Sequence, residues 1–128
     1  MRRYHLRQVD VFTTTPLAGN PAAVFPDAGD LTAAEMQAIA REMNLSETTF
    51  VLPPTVRGAD YRLRIFTPRR ELPFAGHPTI GTVAVLIDAG RLPAPATRSV
   101  VRQECAAGLI EVTVEARPAA LAYLIAMP

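Results

Sequence analysis

Between Pro78 and Ala89 the chain reads Pro-Thr-Ile-Gly-Thr-Val-Ala-Val-Leu-Ile-Asp-Ala, a helix-length run in which Asp88 is the one charge. A surface helix keeps its hydrophobic residues to one stripe. Here Ile80, Val83, Ala84, Val85, Leu86 and Ile87 go round the cylinder and leave almost no polar face. A helix apolar all round is a buried one, so a sheet has to wrap it. Pro78 suits the first helical position, because its φ is already helical and its missing N–H would have been unpaired there. His77 is then the expected N-cap, and Gly90 supplies the expected C′ glycine.

The remaining elements fit that plan. Tyr4 to Phe12 reads as a strand, Thr13 to Asn20 as a loop punctuated by Pro16 and Gly19, and Pro21 to Phe25 as a short strand. Thr32 and Glu35 have the spacing of a capping box, with Leu31 placed as a staple, and Met36, Ile39, Ala40 and Met43 recur at helical spacing. That helix should stop near Asn44, and Thr48 to Leu52 has strand composition. Asp60 to Thr67 alternates, with Tyr61, Leu63 and Ile65 on one face and Arg62, Arg64 and Phe66 on the other. Arg69-Arg70-Glu71 reads as a solvated loop. Arg91 to Arg98 reads as a stiff linker, and Ser99–Cys105, Leu109–Ala116 and Leu121–Ala126 as three strands in meander order. The expected class is α+β.

A chain of 128 residues has room for one domain with a real core. With 49% hydrophobic and 20% charged residues it has the composition of an ordinary soluble protein. A net charge of +1 argues against a nucleic-acid partner. No stretch approaches the roughly 18 apolar residues of a membrane span. The N-terminus lacks the apolar run of a signal peptide, which makes a cytoplasmic address the default. Cys105 is the single cysteine and reads as a small buried hydrophobe. With His5 and His77 as the only histidines, no metal-ligand cluster can be assembled, and nothing calls for NAD, flavin or pyridoxal phosphate.

Two segments carry the chemistry. Asn44-Leu45-Ser46-Glu47-Thr48 puts a carboxylate at a helix-to-strand connection, and Gly76-His77-Pro78-Thr79 opens the apolar helix. The first-turn N–H groups and the positive end of the helix dipole make a site suited to a carboxylate. Glu47 could then move a proton on the anchored substrate.

Five segments in order, Gln8-Val9-Asp10-Val11-Phe12-Thr13, Pro16 to Val24, Asn44 to Thr48, Arg64-Ile65-Phe66-Thr67-Pro68 and Ala75 to Gly81, resemble the PhzF-like family of phenazine-biosynthesis-type isomerases. The resemblance implies a diaminopimelate epimerase-like fold: two related lobes, each wrapping a sheet around a central helix and closing on ligand between them. Residues 1–128 correspond to the N-terminal lobe alone. Read without the resemblance, Glu47 is a solvated acid at a helix end. With it, Glu47 is the general acid/base that takes a proton from carbon and returns one elsewhere. His77 is either a structural N-cap or, as the resemblance implies, a catalytic partner that binds substrate or assists proton relay. Gly76 lets the backbone approach a bound carboxylate, and Pro78 and Thr79 of the same turn join it as substrate-binding positions. Asn20 either holds its own turn or, as the family's GNP segment implies, contacts substrate. Two-thiol racemisation is not expected, since Gly76-His77-Pro78-Thr79 stands where the related epimerase has its first thiol region.

The implied function is a cofactor-independent proton shift on a small carboxylate-bearing metabolite. The missing lobe has to come from somewhere, so the expected partner is a second-lobe polypeptide or a second copy of this chain. The alternative is a binding or assembly module that kept the fold and lost the reaction.

Overall fold

A computed structural model of the chain describes residues 2–11, 19–118 and 120–126. Most of the expected loop from Thr13 to Asn20, with Pro16-Leu17-Ala18, lies outside them, as do Phe12, Met127 and Pro128. The elements run β1 (Arg7–Val11), β2 (Asn20–Phe25), α1 (Ala33–Met43), β3 (Glu47–Leu52), β4 (Tyr61–Phe66), β5 (Glu71–Leu72), α2 (Gly76–Asp88), β6 (Arg98–Cys105), β7 (Gly108–Ala116) and β8 (Leu121–Ile125). One mixed sheet orders them β1-β2-β3-β4-β6-β7-β8, with β5 paired to β4. The class is α+β, as expected, and neither helix is long and apolar enough to cross a membrane.

Alternation along the strands sorts two cores. Val24, Val51, Tyr61, Leu63, Ile65, Val101, Val112 and Val114, from five strands, pack on Val83, Val85 and Leu86 of α2. The sheet therefore curls around α2 and buries most, not all, of its circumference. Ile80, Ala84 and Ile87 form a half-buried stripe along it. On the outer face, Ala23, Phe25, Phe50 and Phe66 pack against Met36 and Ala40 of α1. Phe50 stacks on Phe25 at 5.1 Å and meets Phe66 edge-on at 5.6 Å. β4 is thus buried along its inner face and, at Phe66, on its outer face as well.

α1 begins as its sequence predicts. The Thr32 hydroxyl accepts from the Glu35 N–H at 3.1 Å and the Glu35 carboxylate accepts from the Thr32 N–H at 3.0 Å, closing the capping box. It ends at Asn44, whose φ of 52° is the left-handed turn that asparagine tolerates. α2 begins earlier than expected. Its N-cap is Ala75, in extended backbone, and His77 is the second helical residue, not the cap. The reason is that a proline without its N–H is harmless anywhere in the first turn, so Pro78 did not fix the start.

Two charged segments also differ from expectation. Glu71 belongs to the short strand β5, and its carboxylate accepts two bonds from the Arg64 guanidinium at 2.7 Å, so Arg64 and Glu71 are a bidentate pair and not merely a wet face. Cys105 is half-buried at the end of β6, its Sγ 3.5 Å from the Gly108 carbonyl, and not a fully buried hydrophobe.

Candidate active site

Glu47 is the first residue of β3 and shares the inner face with Thr49 and Val51, because side chains alternate along a strand. That face looks at α2: Thr49 Oγ1 lies 2.9 Å from Thr82 Oγ1. One step up the strand, Glu47 Oε2 lies 2.7 Å from His77 Nε2, and each side chain is 14% exposed. The contact brings a carboxylate oxygen against an imidazole nitrogen, an approach that is favourable when one of the two groups carries a proton. Burial pushes the Glu47 carboxyl above its ordinary range, while the neighbouring imidazole works against that rise. The result is a shielded carboxyl able to hold or release a proton nearer neutrality.

Gly76 opens the first turn beside this pair. A Cβ there would meet nothing within 4 Å, and its φ is not positive, so neither packing nor backbone conformation requires a glycine. The space in front of that turn is open. Asn20 starts β2 two residues before Ala22, which is in register with Glu47, and it is exposed on the same inner face. Glu47, His77, Gly76 and Asn20 therefore share one end of the curled sheet. Pro78 and Thr79, expected among the substrate-binding positions, are buried. The Thr79 hydroxyl donates to the Ala75 carbonyl at 2.9 Å and accepts from Gln103 Nε2 at 3.2 Å. Its side chain is spent inside the fold.

Gln103 is the polar residue that sequence reasoning passed over. It is fully buried on β6, and its Oε1 accepts from the Tyr61 hydroxyl at 2.8 Å. Burial pushes the Tyr61 phenol up, which keeps it a donor. The signal was present in the alternation Ser99, Val101, Gln103, Cys105: a glutamine at an inward strand position must find partners on both ends of its amide. A cleft of about 510 Å³ lies at the other end of α2, between Pro26–Asp30, the end of β3 and Arg91–Leu92, away from Glu47 and His77.

Comparison with known proteins places the chain firmly. The sequence profile of phenazine biosynthesis-like proteins, PhzC-PhzF, matches residues 9–128. A curated relative from Schizosaccharomyces pombe, antisense-enhancing sequence 1, is 51% identical over 115 residues, 90% of this chain and 38% of the relative. The trans-2,3-dihydro-3-hydroxyanthranilate isomerase of Pseudomonas chlororaphis is 60% identical over 83 residues, 65% of this chain and 30% of that enzyme. Among solved structures, the Bacillus anthracis phenazine biosynthesis protein of the PhzF family superposes with a TM-score of 0.82 at 36% identity, covering 92% of this chain and 38% of its own. The chain thus spans 30–38% of the length of these three proteins.

Proposed function

The chain belongs to the phenazine biosynthesis-like family, and from that premise we propose that it supplies one half of an isomerase site in which Glu47 moves a proton on a small carboxylate-bearing substrate. The observation that carries the reading is the pairing of Glu47 with His77 from a different element, 2.7 Å apart and mostly shielded. In the ionised state Glu47 removes a proton from a carbon of the substrate, the electron pair delocalises over the adjoining unsaturation, and the carboxylic acid so formed returns the proton at another carbon. Atoms and electrons balance within the substrate, and no cofactor is required. His77 holds the carboxyl in place and shares its proton. The substrate carboxylate sits against the first turn of α2, at Gly76, with Asn20 at the rim. Pro78 and Thr79 act from inside, through the turn they shape.

The second half of the site is a second lobe, which excludes water and completes the set of donors. The test is solvent-deuterium incorporation into trans-2,3-dihydro-3-hydroxyanthranilate, the compound named for the relatives, by the chain alone and after mixing with a second-lobe polypeptide from the same source. Label is expected in the mixture and is expected to disappear with Glu47→Gln. Equal labelling by the Gln variant would sink the assignment. Labelling by the chain alone, with the solution mass of a dimer, would replace the second lobe with a second copy.

A further inference from the structure

The N-terminal turn of α2 has no side-chain cap: Ala75 is the N-cap residue and cannot supply one. Uncapped first turns fray, because the first turn's N–H groups have no acceptors within the helix. This turn is instead fastened from within. The Tyr61 hydroxyl donates to Gln103 Oε1 at 2.8 Å, Gln103 Nε2 donates to Thr79 Oγ1 at 3.2 Å, and Thr79 Oγ1 donates to the Ala75 carbonyl at 2.9 Å. Its three side chains are buried: Thr79 and Gln103 are 0% exposed and Tyr61 4%. All three bonds run in one direction, so each donor polarises the next, and in a water-free interior such a chain is stiff.

We propose that Gln103 is a positioning residue whose amide, held by Tyr61, locks the first turn of α2 through Thr79, so that the turn stays formed with no side-chain cap from its N-cap residue. An external cap of the Ser or Asp type would occupy the same N–H groups that a substrate carboxylate needs. The internal tie removes that conflict. It also holds His77, one residue beyond Gly76, at its distance from Glu47. The inference rests on the proton-transfer reading of Glu47 only for its purpose. Its geometry stands alone.

The experiment needs no substrate. In the 128-residue chain, amide hydrogen exchange is followed residue by residue, together with the titration of the Glu47 carboxyl by carbon NMR, for wild type, Gln103→Leu, Tyr61→Phe and Gln103→Glu. Gln103→Leu is expected to speed exchange at Thr79, Ile80 and Gly81, the amides whose acceptors lie at the start of α2, by about tenfold beyond any change in the β3 and β7 amides, the factor that one lost hydrogen bond represents. It is also expected to move the Glu47 titration. Tyr61→Phe is expected to give a smaller effect of the same kind. Gln103→Glu, while its carboxyl is protonated, keeps one acceptor and one donor in the same shape and is expected to restore protection. If Gln103→Leu accelerates the turn and the core strands equally and leaves Glu47 titrating as in wild type, Gln103 is a packing residue and the proposal falls. A failure of deuterium transfer by Glu47 would leave these readouts unchanged, so the two ideas fail separately.

Discussion

The Thr49–Thr82 contact offers a quantitative test of how α2 is held against β3. Thr82 Oγ1 donates to the Pro78 carbonyl at 2.7 Å, so its single proton is committed. Thr49, 2.9 Å away, must therefore donate to Thr82. Both residues are 0% exposed, and water cannot replace either partner. Thr82→Val removes the acceptor and leaves the Thr49 hydroxyl buried and unpaired, at a cost of about 1–3 kcal/mol. Thr49→Val removes only a donor, and Thr82 keeps its bond to Pro78, so the cost is about 0.5–1.5 kcal/mol. In the double variant nothing is left unpaired. Adding Thr49→Val to Thr82→Val should therefore restore roughly 1 kcal/mol, where independent sites would lose more. Urea unfolding followed by far-UV circular dichroism reads this directly, since a change of that size moves the midpoint by about 0.5 M at an unchanged slope near 2 kcal/mol/M. A double variant weaker than wild type by the sum of the two single losses would show that the Thr49 proton goes elsewhere and that the two hydroxyls do not couple the helix to the strand.

Two further outcomes are expected. The Thr48 hydroxyl is buried with no hydrogen-bond partner among the described residues, so Thr48→Val should raise stability by about 1 kcal/mol in the same unfolding assay; a loss would mean that the hydroxyl is satisfied. Burial raises the Glu47 pKa in the folded state, so the native chain binds that proton more tightly than the unfolded one. Its stability should then fall as pH climbs from the ordinary glutamate value of 4.5 through the raised folded value. Glu47→Gln should flatten that decline and be the more stable form above it, and a stability difference between the two that does not change with pH would refute the assignment.

What the sequence made legible was whatever depends on neighbours in the chain. The Thr32–Glu35 box, the stop at Asn44 and the enclosure of Ile80 to Ile87 are local consequences of propensity and pattern. The resemblance picked out Glu47 and His77, and the fold brings them into contact. The errors have physical causes. Pro78 is compatible with several positions of a first turn, which hid Ala75 as the cap. Arg64 and Glu71 looked solvated because their pairing depends on a two-residue strand, too short to announce itself. Gln103 and Thr79 are 24 residues apart and Tyr61 is 42 from Gln103, and no local pattern carries contacts of that kind.

The division of β4 between two neighbours has a consequence for assembly. Ile65 and Phe66 pair with β5, whereas Tyr61 and Arg62 run parallel to Gln103 and Glu104 of β6, and those two pairs join the halves of the sheet. On the C-terminal side, β6, β7 and β8 are successive hairpins whose first register closes between Cys105 and Gly108. Such local pairings cost little chain entropy, while a seam between residues about forty apart costs more and comes late. The topology predicts two rafts that form separately and are sewn together last, with the Tyr61–Gln103 bond as the stitch. Quenched-flow labelling during refolding would show it, since protection at Arg102, whose N–H donates to the Asp60 carboxylate at 2.7 Å across the seam, and at Thr79 should lag that of the β7 hairpin. The first turn of α2 would then set only when the two rafts have met, so that the end of the helix beside Glu47 reports completion of the whole sheet.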